Sequence, residues 1–99
     1  MIEKNIDIYT IFIFENKNKL NLYLTEYISS KIKSYLKVND RFKFCVCGGS
    51  SPRDIYEKLS NLELSWEHVD IFLGDERCVD PLSNESNTHM LKNSLLKNY

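Results

Sequence analysis

The stretch Phe44-Cys45-Val46-Cys47-Gly48-Gly49-Ser50-Ser51-Pro52 constrains the fold more than any other part of the chain. Apolar residues run directly into two glycines, two hydroxyls and a proline. A run without polar alternation suits a strand buried on both faces of a parallel sheet. Ser51 stands where a helix N-cap belongs, and Pro52 at the first helical position. Asp54, three residues after Ser51, takes the place of the capping-box carboxylate. The pattern therefore predicts a strand, a tight turn and a helix. A helix start exposes unpaired N–H groups and a partial positive charge, and paired glycines let a ligand approach that backbone closely. Such a turn suits an anion, most often phosphate. An ordinary glycine turn with a serine cap has the same pattern, so this stretch alone leaves both readings open. No Gly-Lys-Ser/Thr follows, so it is not a P-loop, and G-x-G-x-x-G is absent.

The flanking segments agree with that start. Residues 6–14 are rich in isoleucine, phenylalanine, tyrosine and threonine, which favours a strand. Leu20, Leu24, Tyr27, Ile28, Ile32, Tyr35 and Leu36 recur at helical spacing and predict an amphipathic helix over one sheet face. Ile55, Tyr56, Leu59 and Leu62 make a second such stripe. Val69-Asp70-Ile71-Phe72-Leu73 reads as a third strand. Residues 75–87 are polar, contain Pro81 and read as a loop, and Met90, Leu91, Ser94 and Leu95 give a last helical face. Strand, helix, strand, helix, strand, helix predicts an α/β fold built on a doubly wound parallel sheet. Adjacent strands are expected near residues 9–14, 42–47 and 70–74. Ligands of such sheets bind beyond the carboxyl ends of the strands. The glycine turn and Gly74-Asp75-Glu76-Arg77 both fall there.

A chain of 99 residues, 42% of them hydrophobic, supports one small core and not two domains. Its net charge of -1 gives no basic surface for nucleic acid. The longest apolar stretch, around residues 11–14, is too short to span a bilayer, and its flanks carry no secretory cleavage pattern. A cytoplasmic protein is the expectation. Cys45 and Cys47 alternate along a strand and are expected as reduced core thiols. A zinc site from Cys45, Cys47, Cys78 and a histidine is disfavoured, because C-x-C on a strand is poor zinc-loop geometry. No metal and no cofactor are expected. Asn84-Glu85-Ser86 matches a glycosylation acceptor only by chance in that setting.

Asp75 and Arg77 carry opposite charges on one loop. Asp75 can accept a proton or orient a hydroxyl. Arg77 can clamp a phosphate or stabilise an oxyanion through its fork of donors. A solvated ion pair is the plainer alternative. Glu76 reads as structural or solvated. His68 precedes a strand and His89 opens a helix, and both read as exposed or capping residues.

Together the two stretches carry a resemblance. Cys47-Gly48-Gly49-Ser50-Ser51-Pro52-Arg53, with Tyr56 one turn on, resembles the Ser-Gly-Gly-Ser-Thr-Pro motif of the 6-phosphogluconolactonases. Trp66-Glu67-His68-Val69 and Phe72-Leu73-Gly74-Asp75-Glu76-Arg77-Cys78-Val79 resemble the second motif of that family. Ser86-Asn87, Met90 and Leu95-Leu96 continue the match in order. The resemblance implies hydrolysis of 6-phosphogluconolactone to 6-phosphogluconate, a step of the oxidative pentose phosphate pathway, without a metal. It implies that Gly48, Gly49, Ser50, Ser51, Arg53 and Asn87 bind the substrate. Arg77 then binds its phosphate or the developing oxyanion, and Asp75 orients the sugar or the general base. The sister family of glucosamine-6-phosphate deaminases shares the phosphate loop but carries tyrosine at the position of Arg77, so this position favours the lactonase. A non-catalytic sugar-phosphate-binding module is the other alternative.

The sequence also departs from the family pattern. Cys47 replaces serine, Ser51 replaces threonine, and Asp80 is inserted before Pro81. The family's catalytic histidine belongs to a later Gly-Asp-Gly-His-type motif that these residues lack. Residues 1–99 therefore resemble the N-terminal part of a single lactonase-like domain, less than half of it, and are expected to be inactive alone. Some family members are fused to glucose-6-phosphate dehydrogenase, so a linked or associated dehydrogenase domain is the implied protein partner.

Overall fold

The computed structural model describes residues 1–98. In chain order they form β1 (Ile2–Ile6), β2 (Tyr9–Ile13), α1 (Lys17–Leu36), β3 (Phe42–Val46), α2 (Arg53–Ser60), a 3-10 turn (Trp66–His68), β4 (Val69–Leu73) and α3 (Asn87–Lys92). β3 and β4 pair in parallel, from Phe42 opposite Val69 to Val46 opposite Leu73. This is the expected α/β arrangement, with a helix crossing between parallel neighbours. Arg41 fixes the entrance to the pair. Its Nε and Nη2 donate to the two Asp70 carboxylate oxygens at 2.8 and 2.7 Å.

The alternation along β3 turns Val46 and, in part, Phe44 toward the helices. They meet Ile55, Tyr56 and Leu59 of α2, Leu91 of α3 and the following Leu95. Ile32 of α1 is fully buried. α1 and α2 are also joined by polar groups. Asp54 accepts from Asn21 Nδ2 at 2.9 Å and from Lys58 Nζ at 2.7 Å. The Lys58 ammonium and the Asn21 amide hold the Asp54 carboxyl below the usual carboxylate range.

Three expectations are corrected. First, the strand expected near residues 9–14 does not join the parallel sheet. β1 and β2 pair with each other as an antiparallel hairpin, and β3–β4 stand as a separate two-stranded sheet. A two-residue connection closes the hairpin, with Asp7 at φ 56°, a left-handed conformation that aspartate tolerates better than most residues. Local closure wins because antiparallel neighbours need only a short turn. The hairpin rests on α1 through Phe12 and Phe14, whose rings lie 5.7 and 5.1 Å from that of Tyr23. Second, β3 is covered on one face only, and Cys45 and Cys47 are exposed thiols rather than core residues. Third, α2 starts one residue later than expected. Pro52 is its N-cap, and no side chain caps it. Asp54 serves α1 and Lys58 instead of closing a capping box. No described helix is long and apolar enough to cross a membrane.

Leu59 is 0% exposed at the centre of this core. Leu59→Ala is expected to cost about 2–5 kcal/mol, read by urea denaturation. A loss well under 1 kcal/mol would contradict its central place.

Candidate functional site

The parallel pairing sets the carboxyl ends of β3 and β4 side by side. Gly74 N donates to Val46 O at 2.8 Å, which carries the ladder one step beyond β4. The glycine turn and the Arg77 loop therefore leave the sheet as neighbours.

Tyr56 anchors the turn from α2. Its hydroxyl donates to Cys47 O at 2.9 Å and accepts from Cys47 N at 3.1 Å. Burial pushes the Tyr56 phenol up to about 12, so it remains a neutral donor throughout the physiological range. Gly49 has φ +92°, a conformation that side-chain-bearing residues rarely adopt. Gly48 is required for a different reason. A Cβ there would overlap the side-chain amide of Asn87. Asn87 is buried, and its Nδ2 donates to Asp75 O at 3.1 Å and to Asp75 Oδ1 at 3.3 Å. One side chain thus joins the glycine turn, the loop after β4 and α3.

Glu76 makes the densest set of contacts. Its Oε1 accepts from Arg77 N and Asn87 N, each at 2.7 Å. Its Oε2 accepts from Ser86 Oγ at 3.1 Å, Thr88 N at 2.8 Å and Thr88 Oγ1 at 2.6 Å. The Thr88 hydroxyl and these backbone donors hold the Glu76 carboxyl at about 2. Ser86 completes the start of α3 by accepting from His89 N at 3.2 Å.

Between turn and loop lies a cleft of about 370 Å³. Gly49, Ser50, Arg53, Arg77 and Asn87 line it, together with Asn84, Glu85, Ser86 and Met90. Five of the residues singled out from sequence are therefore brought together. Gly48 lies against Asn87, beside them. Ser51 and Asp75 do not line the cleft, although Asp75 is bonded to Asn87, which does. Arg53 is 3.8 Å from Glu57, an exposed and weak pair. Among the described residues, no carboxylate pairs with the Arg77 guanidinium. Two arginines and a single acidic residue, Glu85, thus line the cleft, beside a turn that leads into a helix start without a side-chain cap. The arrangement can hold a compact anion. It offers no histidine: His68 and His89 lie outside the lining. A second cavity, of about 400 Å³, is lined by Trp66, Val69, Ile71 and Leu96 with Glu67 as its one charged residue, and it holds no arginine or glycine turn.

The roles of Tyr56, Ser86 and Thr88 escaped the sequence reading. A serine before an apolar-periodic segment is a readable cap signal at Ser86. The Glu76 bonds to Asn87 and Thr88 cross 11 and 12 positions, and no helical or strand period reports them.

Residues 15–99 match the model of the family described as glucosamine-6-phosphate isomerases/6-phosphogluconolactonase. The chain is 37% identical over 90 residues to a 6-phosphogluconolactonase of Helicobacter pylori, covering 91% of this chain and 40% of that protein. It is 33% identical over 85 residues to one of Rhizobium meliloti, covering 86% of this chain and 37% of that protein. Its fold is similar to the crystal structure of the Thermotoga maritima 6-phosphogluconolactonase, with TM-score 0.82 and 28% identity over 87% of this chain and 38% of that one. The chain therefore spans about two fifths of the length of the curated relatives it matches.

Gly48→Ala is expected to push Asn87 aside and break its bonds to Asp75, at a cost of about 1–3 kcal/mol. The checks are a denaturation curve and the Asn87 side-chain amide resonances. Unchanged resonances would contradict the close approach. The Glu76 carboxyl sits at about 2, below its ordinary 4.5, so the folded state favours the ionised form. Its contribution to stability is complete above about pH 4.5 and is lost as pH falls toward 2. Melting temperatures of the protein and of Glu76→Gln should differ by a constant amount above pH 5 and converge below about 4.5. A difference that stays flat through that window would contradict the assignment.

Proposed function

The chain belongs to the glucosamine-6-phosphate isomerase/6-phosphogluconolactonase family, and on that premise we propose that it carries the phosphate-binding part of a 6-phosphogluconolactonase site. The observation that carries this reading is the convergence of Arg77, Arg53 and the Gly49-Ser50 turn on one cleft. Arg77 clamps the phosphate of the lactone with paired donors, and the turn offers backbone N–H groups to the same oxygens. Ser50 and Asn87 add neutral polar groups. Asp75 has an orienting role through the Asn87 amide that it accepts.

Lactone hydrolysis needs water to attack the carbonyl, with a base taking its proton as the tetrahedral oxyanion forms. The reading gives that base to a histidine outside these residues, and gives this chain the task of holding the phosphate end. Arginine at position 77, together with relatives that are themselves named 6-phosphogluconolactonases, favours a lactonase over a glucosamine-6-phosphate deaminase. Three exposed free thiols suit a reducing compartment, so we place the protein in the cytoplasm.

The test is a chimera in which residues 15–99 replace the matching stretch of the Helicobacter pylori relative, assayed with 6-phosphogluconolactone. Arg77→Ala and Arg77→Lys are expected to raise KM by about 10- to 100-fold with kcat nearly unchanged, because the clamp acts in ground and transition states alike. A loss confined to kcat would move Arg77 to the oxyanion. Unchanged kcat and KM in both variants would overturn the assignment.

A further inference from the structure

Glu76 lies next to Arg77 yet does not line the cleft. Its two oxygens accept five hydrogen bonds, from residues on both sides of the loop that closes the site. Oε1 alone bridges Arg77 N and Asn87 N. Among the described residues, the intervening loop bonds only to itself and to its two ends, with Val79 N donating to Arg77 O and Ser86 N to Ser83 O. Ser83 N donates to Asp80 O, Leu82 N to Asp80 Oδ1, and Glu85 N to Ser83 Oγ. None of them ties the loop to the sheet or to α2. The spacing between Arg77 and the first turn of α3 therefore depends on Glu76, with help from the Asn87–Asp75 contact.

We propose that Glu76 is a positioning residue whose carboxylate fastens Arg77 to Asn87 and so sets the width of the anion cleft. The proposal rests on the reading of that cleft as a phosphate site. It predicts an effect opposite in sign to simple electrostatics. Removing a negative charge next to an anion cleft should by charge alone strengthen anion binding. Removing the fastener should weaken it. Glutamine keeps the size of glutamate but replaces one acceptor oxygen with an NH2 group, which cannot accept from the donors gathered there.

The experiment titrates inorganic phosphate into the 15N-labelled chain and into Glu76→Gln. Glu85→Gln, the loss of the carboxylate that does line the cleft, reports the effect of charge alone. The expected result is a Kd raised about 10-fold or more in Glu76→Gln and lowered in Glu85→Gln. Tighter binding in both variants would overturn the proposal. Amide hydrogen exchange of the unliganded chain gives a readout independent of phosphate. Exchange at Arg77, Asn87 and Thr88 should accelerate at least 10-fold in Glu76→Gln while the amides of β3 and β4 keep their protection. Unchanged exchange at those three residues would overturn the fastening. Absence of phosphate binding to the parent chain would instead sink the phosphate reading, and the exchange data would still decide the role of Glu76. If Glu76→Gln does not fold, Thr88→Val removes a single one of the five bonds. It should accelerate exchange at residues 87 and 88 alone, and no local acceleration there would count against the proposal.

Discussion

The parallel pairing of β3 with β4 is the interaction on which the rest of the structure depends. It aligns two strand ends, and the Gly74 N to Val46 O bond extends that alignment into the loops. Parallel strands require a crossover, and α2 supplies it while bringing Tyr56 under the glycine turn. The core of Val46, Ile55, Leu59, Leu91 and Leu95 is therefore also the platform of the cleft. A chain that lost this pairing would lose both walls of the site together.

Above that platform, order comes from hydrogen bonds rather than from apolar burial. The loop after β4 is almost wholly exposed, so packing cannot fix it. Ionised carboxylates and side-chain amides fix it instead. Asn87 fits against the turn because residue 48 has no Cβ, and Glu76 gathers donors from the start of α3. Charge-assisted bonds of this kind are shorter and stronger than neutral ones. The result leaves the Arg77 guanidinium available while its backbone is held.

Much of this was legible in the sequence, for local reasons. The apolar run into Gly48-Gly49 announced β3, the turn and α2, and Gly74-Asp75-Glu76-Arg77 announced a second strand end. Gly49, Ser50 and Arg77 follow from those two motifs, and Arg53 and Asn87 from the family resemblance. The hairpin was not legible because residues 6–14 carry strand propensity without saying which strand they pair with. The exposure of Cys45 and Cys47 was also hidden. An apolar run reports suitability for burial, and the covering face depends on contacts distant in sequence. Pro52 displaced the expected cap because Ser50, Ser51 and Pro52 form a turn of their own, with Arg53 N donating to Ser50 O at 3.4 Å. Glu76 reads as structural or solvated in the sequence, and its particular partners lie beyond any sequence period.

The central claim is that the glycine turn and Arg77 form one phosphate site. The most direct measurement is a crystal structure of the chain with 6-phosphogluconate bound. The account predicts the phosphate within about 2.7–2.9 Å of Arg77 guanidinium nitrogens and in contact with the Gly49-Ser50 backbone. A phosphate seated elsewhere, with Arg77 turned to solvent, would contradict it.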